Sequence, residues 1–164
     1  MSIVLFRVDE RLIHGQVVVG WGTHLRPKRI VVVDDTLSAS PWEQELYTLG
    51  LPPELEAVFA TIEYARANLA AWRASDQRII VLTRDLATMN KLARDGLLNG
   101  AEVNIGGIHY AAGRRPVLPY VYLSEQEAGE LAALSAEGVT VSARDLPGSR
   151  RVDAAELLRN ERKP

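Results

Sequence analysis

The sequence predicts an α/β fold: an open, mostly parallel, doubly wound sheet flanked by helices. Three observations carry that expectation. Ile3 to Val8, Arg29 to Asp34, Arg78 to Thr83 and Val139 to Ala143 are short runs rich in Val and Ile without polar alternation, as strands buried on both faces require. The segments between them carry helix start and stop signals. Strands alternating with helices then imply right-handed crossovers, which place helices on both sheet faces and gather ligands outside the carboxyl ends of the strands.

Taken in order, the first run is followed by a loop, Asp9 to Gly15, and a helical stretch, roughly Gln16 to Leu25. After the second run comes the loop Asp35 to Ala39. Ser40-Pro41-Trp42-Glu43 then reads as a capping box with proline at the first helical position, and Gly50 as a stop. Leu55 to Ala60 is a further strand candidate, and Thr61 can cap a helix ending near Trp72. Asp85 to Asp95 reads as a helix closed by Gly96, and Glu102 to Ile105 as a strand. Val117 to Leu123 is a strand candidate, but Pro116 and Pro119 disfavour full pairing and point to an edge. Ser124 to Glu127 repeats the capping-box syntax ahead of a helix ending at Gly138, and Asp153 to Glu156 opens the C-terminal helix.

The 164 residues, 47% of them apolar, are expected to form one domain, 1–164, large enough for a proper core. A formal net charge of -2 gives no global attraction to nucleic acid or a membrane surface. The absence of cysteine removes disulfides, thiolate catalysis and cysteine-based metal sites, and is compatible with a reducing cytoplasm. The four-residue apolar run before Arg7 is too short for a signal-peptide core, and no stretch approaches the roughly 20 apolar residues of a membrane span. A soluble, cytoplasmic protein is expected.

The densest chemical signal is Arg7-Val8-Asp9-Glu10-Arg11-Leu12-Ile13-His14-Gly15-Gln16, with two arginines and one histidine in eight residues. Imidazole is a nitrogen nucleophile that changes protonation near neutral pH, and guanidinium forks hold phosphoryl oxygens through paired donors. The set suits phosphoryl transfer: His14 as covalent nucleophile, Arg7 and Arg11 as phosphate clamps, Asp9 as orienter of a clamp arginine. Gly15 leaves room beside the imidazole, and the N–H groups that follow, Gly15 and Gln16 first, are candidate donors to a bound oxyanion. The plainer alternative is that Arg7 and Arg11 are structural ions paired with Asp9, Glu10 or Asp35. His24 reads as a surface histidine. His109 follows Gly106-Gly107-Ile108, glycines that suit either close approach to a ligand or a tight turn.

No dinucleotide fingerprint, phosphate-binding Gly-Lys loop or nucleophile-elbow serine is present, and the histidines at 14, 24 and 109 lack metal-ligand spacing. No cofactor and no metal are expected.

The string Arg7 to Val17 resembles the active-site segment of IIB components in the mannose/fructose/sorbose family of the phosphoenolpyruvate-dependent sugar phosphotransferase system. Ile30 to Asp35 is similar to that family's second strand, and Val103-Asn104-Ile105-Gly106-Gly107-Ile108 to its glycine-bearing segment. The resemblance implies a phosphocarrier that takes a phosphoryl group from a IIA phosphohistidine onto Nδ1 of His14, held by Arg7 and Arg11. The group then passes to a sugar entering through membrane components IIC and IID. It also implies one antiparallel strand at a sheet edge. Arg26, Lys28 and Arg84 are candidate steering charges for a IIA partner docking over the loops after the first three strands. Asp34 departs from the asparagine of many relatives and adds a negative charge at the end of the second strand. The rival function is a regulatory phosphoprotein that signals its phosphorylation state without delivering phosphate to sugar. Homo-oligomerisation is compatible with either.

Overall fold

The computed structural model describes residues 2–164. Seven strands form one sheet in the order β3-β2-β4-β1-β5-β8-β9, and β6 and β7 form a separate two-stranded ribbon. The central strands are β1 (Ile3–Val8), β2 (Arg29–Val33), β3 (Glu56–Ala60), β4 (Ile79–Thr83), β5 (Glu102–Ile105) and β8 (Thr140–Ala143), all mutually parallel. The antiparallel edge is β9 (Val152–Asp153), paired to β8. The segment 117–123 departs from the expected edge strand. It splits into β6 (Arg115–Leu118) and β7 (Val121–Leu123), an antiparallel ribbon outside the main sheet.

Burial on both faces explains the apolar runs. Along β2, Val31 and Val33 enter one core with Leu69 and Trp72 of α4 (Ile62–Ala74), Met89 and Leu92 of α5 (Leu86–Ala93), and Leu131 and Leu134 of α6 (Glu125–Ala136). Ile30 and Val32 enter the opposite core with Leu12, Ile13, Val17 and Leu37. That second face is covered by the chain after β1, by the short α2 (Asp35–Ser38) and by α3 (Pro41–Thr48). The C-terminal α7 (Ala154–Glu161) adds Leu157 to the first core.

Caps follow the sequence in part. Thr61 accepts from Tyr64 N, Asp85 from Thr88 N and Asp153 from Glu156 N, while Ser124 and Glu127 form a full capping box. Ser40 makes no side-chain cap, so α3 starts on Pro41 alone. The stretch Gln16 to Leu25 is also not a plain α-helix. Gln16–Trp21 winds as a π-helix and only Gly22–Leu25 (α1) is α-helical, ended by Arg26 in the left-handed region. Wide π turns of this kind recur at functional sites.

β1 lies where the connections diverge. From it the chain runs to β2 on one side, and the later β4-to-β5 connection crosses to the other. The crevice at the carboxyl end of β1 is therefore the expected ligand position in an open α/β sheet, and His14 sits in that loop.

Candidate functional site

Backbone pairing fastens the loop after β1 on both sides. Asp9 N donates to Thr83 O at the end of β4 (2.9 Å). Gly106 N donates to Val8 O (2.8 Å) and Glu10 N to Gly107 O (2.9 Å) on the β5 side. Within the loop, Asp9 closes a turn: Leu12 N donates to Asp9 O and Arg11 N to Asp9 Oδ1 at 3.1 Å. Leu12 adopts φ +54°, an unfavourable conformation for a leucine, and its side chain is fully buried in the second core. That backbone costs on the order of 1–2 kcal/mol, offset by burial worth about 1.5–3 kcal/mol. The reversal it makes carries the chain to His14.

Asp9 and Arg7 are both fully buried, with Arg7 Nη2 3.0 Å from Asp9 Oδ2. Arg7 Nε also donates to Oδ2. Nη1 donates to Asn104 Oδ1 and Arg144 O, and Nη2 to Asp145 O. All five guanidinium N–H groups are thus engaged. The ring of Trp21 covers the guanidinium, centroid 5.4 Å from Cζ, and its own Nε1 is tied to Asp145 O. Burial pulls the Arg7 pKa below its ordinary value, opposed chiefly by Asp9. The expectation that Arg7 clamps phosphate directly is therefore corrected, since no donor and no surface is left for a ligand. The arginine that Asp9 pairs with is this interior one, not an exposed clamp.

His14 is partly buried at 13% side-chain exposure. Its Nε2 is inaccessible and 3.2 Å from Asp9 Oδ2, off the line of an N–H···O hydrogen bond, so the contact is electrostatic. Nδ1 accepts from Gln16 N at 3.3 Å. Nδ1 thus presents its lone pair and Nε2 carries the proton of the neutral ring. Burial lowers the His14 pKa, Asp9 opposes it, and Arg11, Arg7 and His109 push the same way as burial. The neutral imidazole is favoured.

Arg11 is exposed, and its Nη2 donates to Gln16 Oε1 at 3.0 Å. It has no carboxylate partner among the described residues, so the surface ion pair with Asp9 or Glu10 is absent. Gly15 faces open space. Asp34 caps α2 through Leu37 N and pairs with Arg84, Nε to Oδ2 3.3 Å, so its extra charge is already matched. Arg84 thus follows β4 at the His14 end, whereas Arg26 and Lys28 precede β2 and lie at the opposite end of the sheet. Those two are corrected as steering charges for this site. His24 is exposed on α1.

Sequence reasoning missed the frame that holds the loop. Asn104, opposite Arg7 in the β1–β5 register, was signalled only as a polar residue inside an apolar run. Gly106 is required by close approach: an added Cβ would overlap the Arg7 guanidinium and lie 2.6 Å from Asp9 Oδ2. Glu10 gathers His109, with Nδ1 3.2 Å from Oε1, and Arg114, with Nη1 3.0 Å from Oε2, which in turn pairs with Glu127. Trp21 gave no signal.

No described helix is long and apolar enough to cross a membrane, and no group of three or more potential metal ligands occurs among the described residues. Residues 3–164 match the family model described as the PTS system sorbose subfamily IIB component. The chain is 32% identical over 153 residues to the N-acetylgalactosamine-specific phosphotransferase enzyme IIB component 1 of Escherichia coli K12, covering 92% of this chain and 94% of that one. It is 28% identical to the fructose-specific EIIB component of Bacillus subtilis, covering 98% of each. It also matches 49% of the E. coli mannose-specific EIIAB component at 26% identity. Among solved structures, the IIBSor domain of the Klebsiella pneumoniae sorbose permease superposes with a TM-score of 0.84 at 25% identity, covering 98% of this chain and 96% of that one. The N-acetylgalactosamine IIB component of Streptococcus pyogenes does so with 0.84 at 26%, covering 95% and 97%. With a fastened histidine loop at the sheet's switch point and a family match over nearly its full length, the chain belongs to the sorbose-subfamily IIB components of the PTS, a family of sugar phosphotransferases.

Proposed function

We propose that the chain, as one domain in the cytoplasm, accepts a phosphoryl group from a IIA phosphohistidine onto Nδ1 of His14. It then passes the group to a sugar entering through IIC and IID membrane components. The observation that carries this reading is the split of the imidazole: Nε2 is buried against Asp9, while Nδ1 faces Gln16 N beside the exposed Arg11.

The chemistry follows from that split. The Nδ1 lone pair forms the new P–N bond as the donor's P–N bond breaks, and that electron pair returns to the donor imidazole. Positive charge develops on the His14 ring, whose proton stays on Nε2 against the Asp9 carboxylate. This is how a buried carboxylate stabilises a forming imidazolium. Arg7 fixes Asp9 without touching the phosphoryl group. Arg11 can swing from Gln16 onto the phosphoryl oxygens with its planar fork, and the Gly15 and Gln16 N–H groups add donors. The transferred group requires little covalent assistance, so placement and charge neutralisation supply most of the acceleration. Relatives named for N-acetylgalactosamine, fructose and sorbose support sugar delivery, and one named EIIAB supports a IIA donor. Both partners must reach His14, so each docks over the carboxyl-end loops.

The test is phosphorylation by the general phosphotransferase proteins with a cognate IIA, followed by mapping of the acid-labile phosphate. It should lie on His14 alone. An undiminished rate of acceptance in His14→Ala would overturn the reading.

A further inference from the structure

On the second face of the sheet the chemistry changes between β2 and β5. Ile30 and Val32 of β2 belong to the apolar core there, but that core includes no residue of β5 or β8. In these two strands Val103, Ile105, Val141 and Ala143 fill the first core, and the residues alternating with them are polar: Glu102 opposite Thr140, and Asn104 opposite Ser142. A cleft of about 250 Å³ lies over them, lined by Glu102, Asn104 and Ser142 together with Trp21, Arg144 and Arg151.

The unengaged polar groups of this cleft are chiefly donors. Asn104 is 4% exposed, and its Oδ1 accepts from Arg7 Nη1. A guanidinium only donates, so the amide orientation is fixed and Nδ2 is the atom left over. Nδ2 has no partner among the described residues, and a buried amide left unpaired is unfavourable. Ser142, 2% exposed, donates its hydroxyl to Glu102 Oε1 at 2.7 Å. The same carboxylate oxygen takes Arg151 Nε at 3.0 Å and Nη2 at 2.9 Å, which leaves Arg151 Nη1 unengaged. Arg144 uses only Nη1 of its side chain, on Pro147 O at 3.1 Å. Two guanidiniums thus stand against one carboxylate. Burial would raise the Glu102 pKa, but hydrogen bonds from Ser142 and Arg151 and the charges of Arg151 and Arg144 hold it below its ordinary value. Neither Asp145, whose carboxylate accepts from Leu146 N, nor Arg150, paired with Glu156, lines the cleft.

We propose that this cleft binds a small oxyanion, a phosphate monoester or a carboxylate, at a site separate from the phosphoryl site at His14. The anion accepts from Asn104 Nδ2 and from the unengaged N–H groups of Arg144 and Arg151, whose planar forks suit paired oxygens. The lining residues carry one net positive charge, which water screens less in a cleft than on an open surface. Arg7, bonded to both Asn104 and Asp9 with every N–H engaged, stands between the two sites. Binding here does not depend on which residue carries the phosphoryl group.

The experiment titrates ¹⁵N-labelled protein with inorganic phosphate, glucose 6-phosphate, citrate and, as the neutral comparison, glucose, at constant ionic strength set with sodium chloride. Binding of at least one anion should saturate and move the Asn104 side-chain NH2 and Trp21 indole N–H signals, while glucose leaves them in place. Preference among the three anions tells free phosphate from a phosphate ester and from a carboxylate. Arg144→Gln and Arg151→Gln should each weaken that binding about tenfold or more, the scale of a lost hydrogen bond to a charged group. Lys28→Gln makes the same change in net charge away from the cleft and should leave binding within about twofold. The proposal is overturned if no anion gives a saturable response, or if the shifts are confined to the Gly15 and Gln16 N–H groups of the histidine loop. An equal response to glucose, or a loss in Lys28→Gln as large as in Arg144→Gln, overturns it as well.

Discussion

Asp9 Oδ2 lies 3.2 Å from His14 Nε2 while the same oxygen is 3.0 Å from Arg7 Nη2. One buried carboxylate thus joins the imidazole of His14 to a permanent cation that holds the carboxylate in place; in the proposed transfer that imidazole gains positive charge. Fully buried charged groups persist when they are paired and hydrogen-bonded: Arg7 supplies the pairing, and the second oxygen of Asp9 also accepts Arg11 N.

Replacing Asp9 by asparagine keeps the shape and removes the charge. Phosphoryl acceptance by His14 should fall by about a hundredfold or more, the usual scale for a group that stabilises charge on a catalytic imidazole. The same change leaves Arg7 buried without a counterion, so stability should drop by about 3–5 kcal/mol. Rapid-quench transfer rates, taken well below the variant's melting temperature, separate the two effects.

Arg7→Met asks whether Arg7 works through Asp9. Five donors are lost and Asp9 is left as an uncompensated buried charge, so urea denaturation should show a loss of about 3–5 kcal/mol. Phosphate release from phospho-His14 should change less than after substitution of Arg11, because Arg7 has no free donor for the phosphoryl group. A variant as stable as the parent but unable to retain phosphate would restore the direct clamp.

The element types were legible where one physical signal sufficed. Apolar runs without alternation mark β2 and β4 because both faces are covered, and the Ser124–Glu127 box marks α6 because its two hydrogen bonds are local. Arg7 and Arg11 looked alike in sequence because both are arginines flanking one loop. Their difference depends on strand register: Arg7 lies in β1 opposite Asn104 and points inward under Trp21, whereas Arg11 lies beyond the strand end. The π turn after His14 escaped notice for a related reason, since its Val and Gly content also fits a short α-helix. Pro119 did signal a break, and the chain turns back there to pair β6 with β7.

Gly106 should tolerate no side chain. A Cβ there overlaps the Arg7 guanidinium and lies 2.6 Å from Asp9 Oδ2. Neither atom can retreat without breaking the buried pair. Gly106→Ala should cost about 1–3 kcal/mol by overpacking and reduce phosphoryl acceptance, whereas Gly15→Ala, where nothing lies within 4 Å, should leave stability within about 0.5 kcal/mol. Paired denaturation curves check both.

The lowered His14 pKa fixes the sign of a pH effect. Only the neutral ring offers the Nδ1 lone pair, so acceptance should be flat near neutrality and fall on acidification, with a midpoint below the ordinary 6.5. The unfolded chain binds this proton more tightly than the folded one. The stability that His14 contributes as a neutral ring is therefore present above 6.5 and lost as pH falls through the lower folded value. Titration of the imidazole carbon-bound protons by NMR gives the midpoint directly, and a midpoint above 6.5 would contradict the burial argument.

Arg11 separates a phosphate clamp from a surface charge. It is exposed, its side chain bonded only through Nη2 to Gln16 Oε1, and three residues before His14. The Arg11→Lys variant keeps the charge and loses the planar fork. A bidentate clamp should then lose on the order of 1–3 kcal/mol of transition-state stabilisation, about ten- to a hundredfold in rate. A residue acting only as a diffuse surface charge should change by under about 1 kcal/mol. Thermal stability should barely move in either case, because an exposed arginine with one neutral hydrogen bond contributes little to folding. The measurement is rapid-quench phosphoryl transfer into and out of the variant at matched ionic strength. A rate within about twofold of the parent, roughly 0.4 kcal/mol, would remove Arg11 from the phosphoryl site and leave the Gly15 and Gln16 N–H groups as its remaining donors.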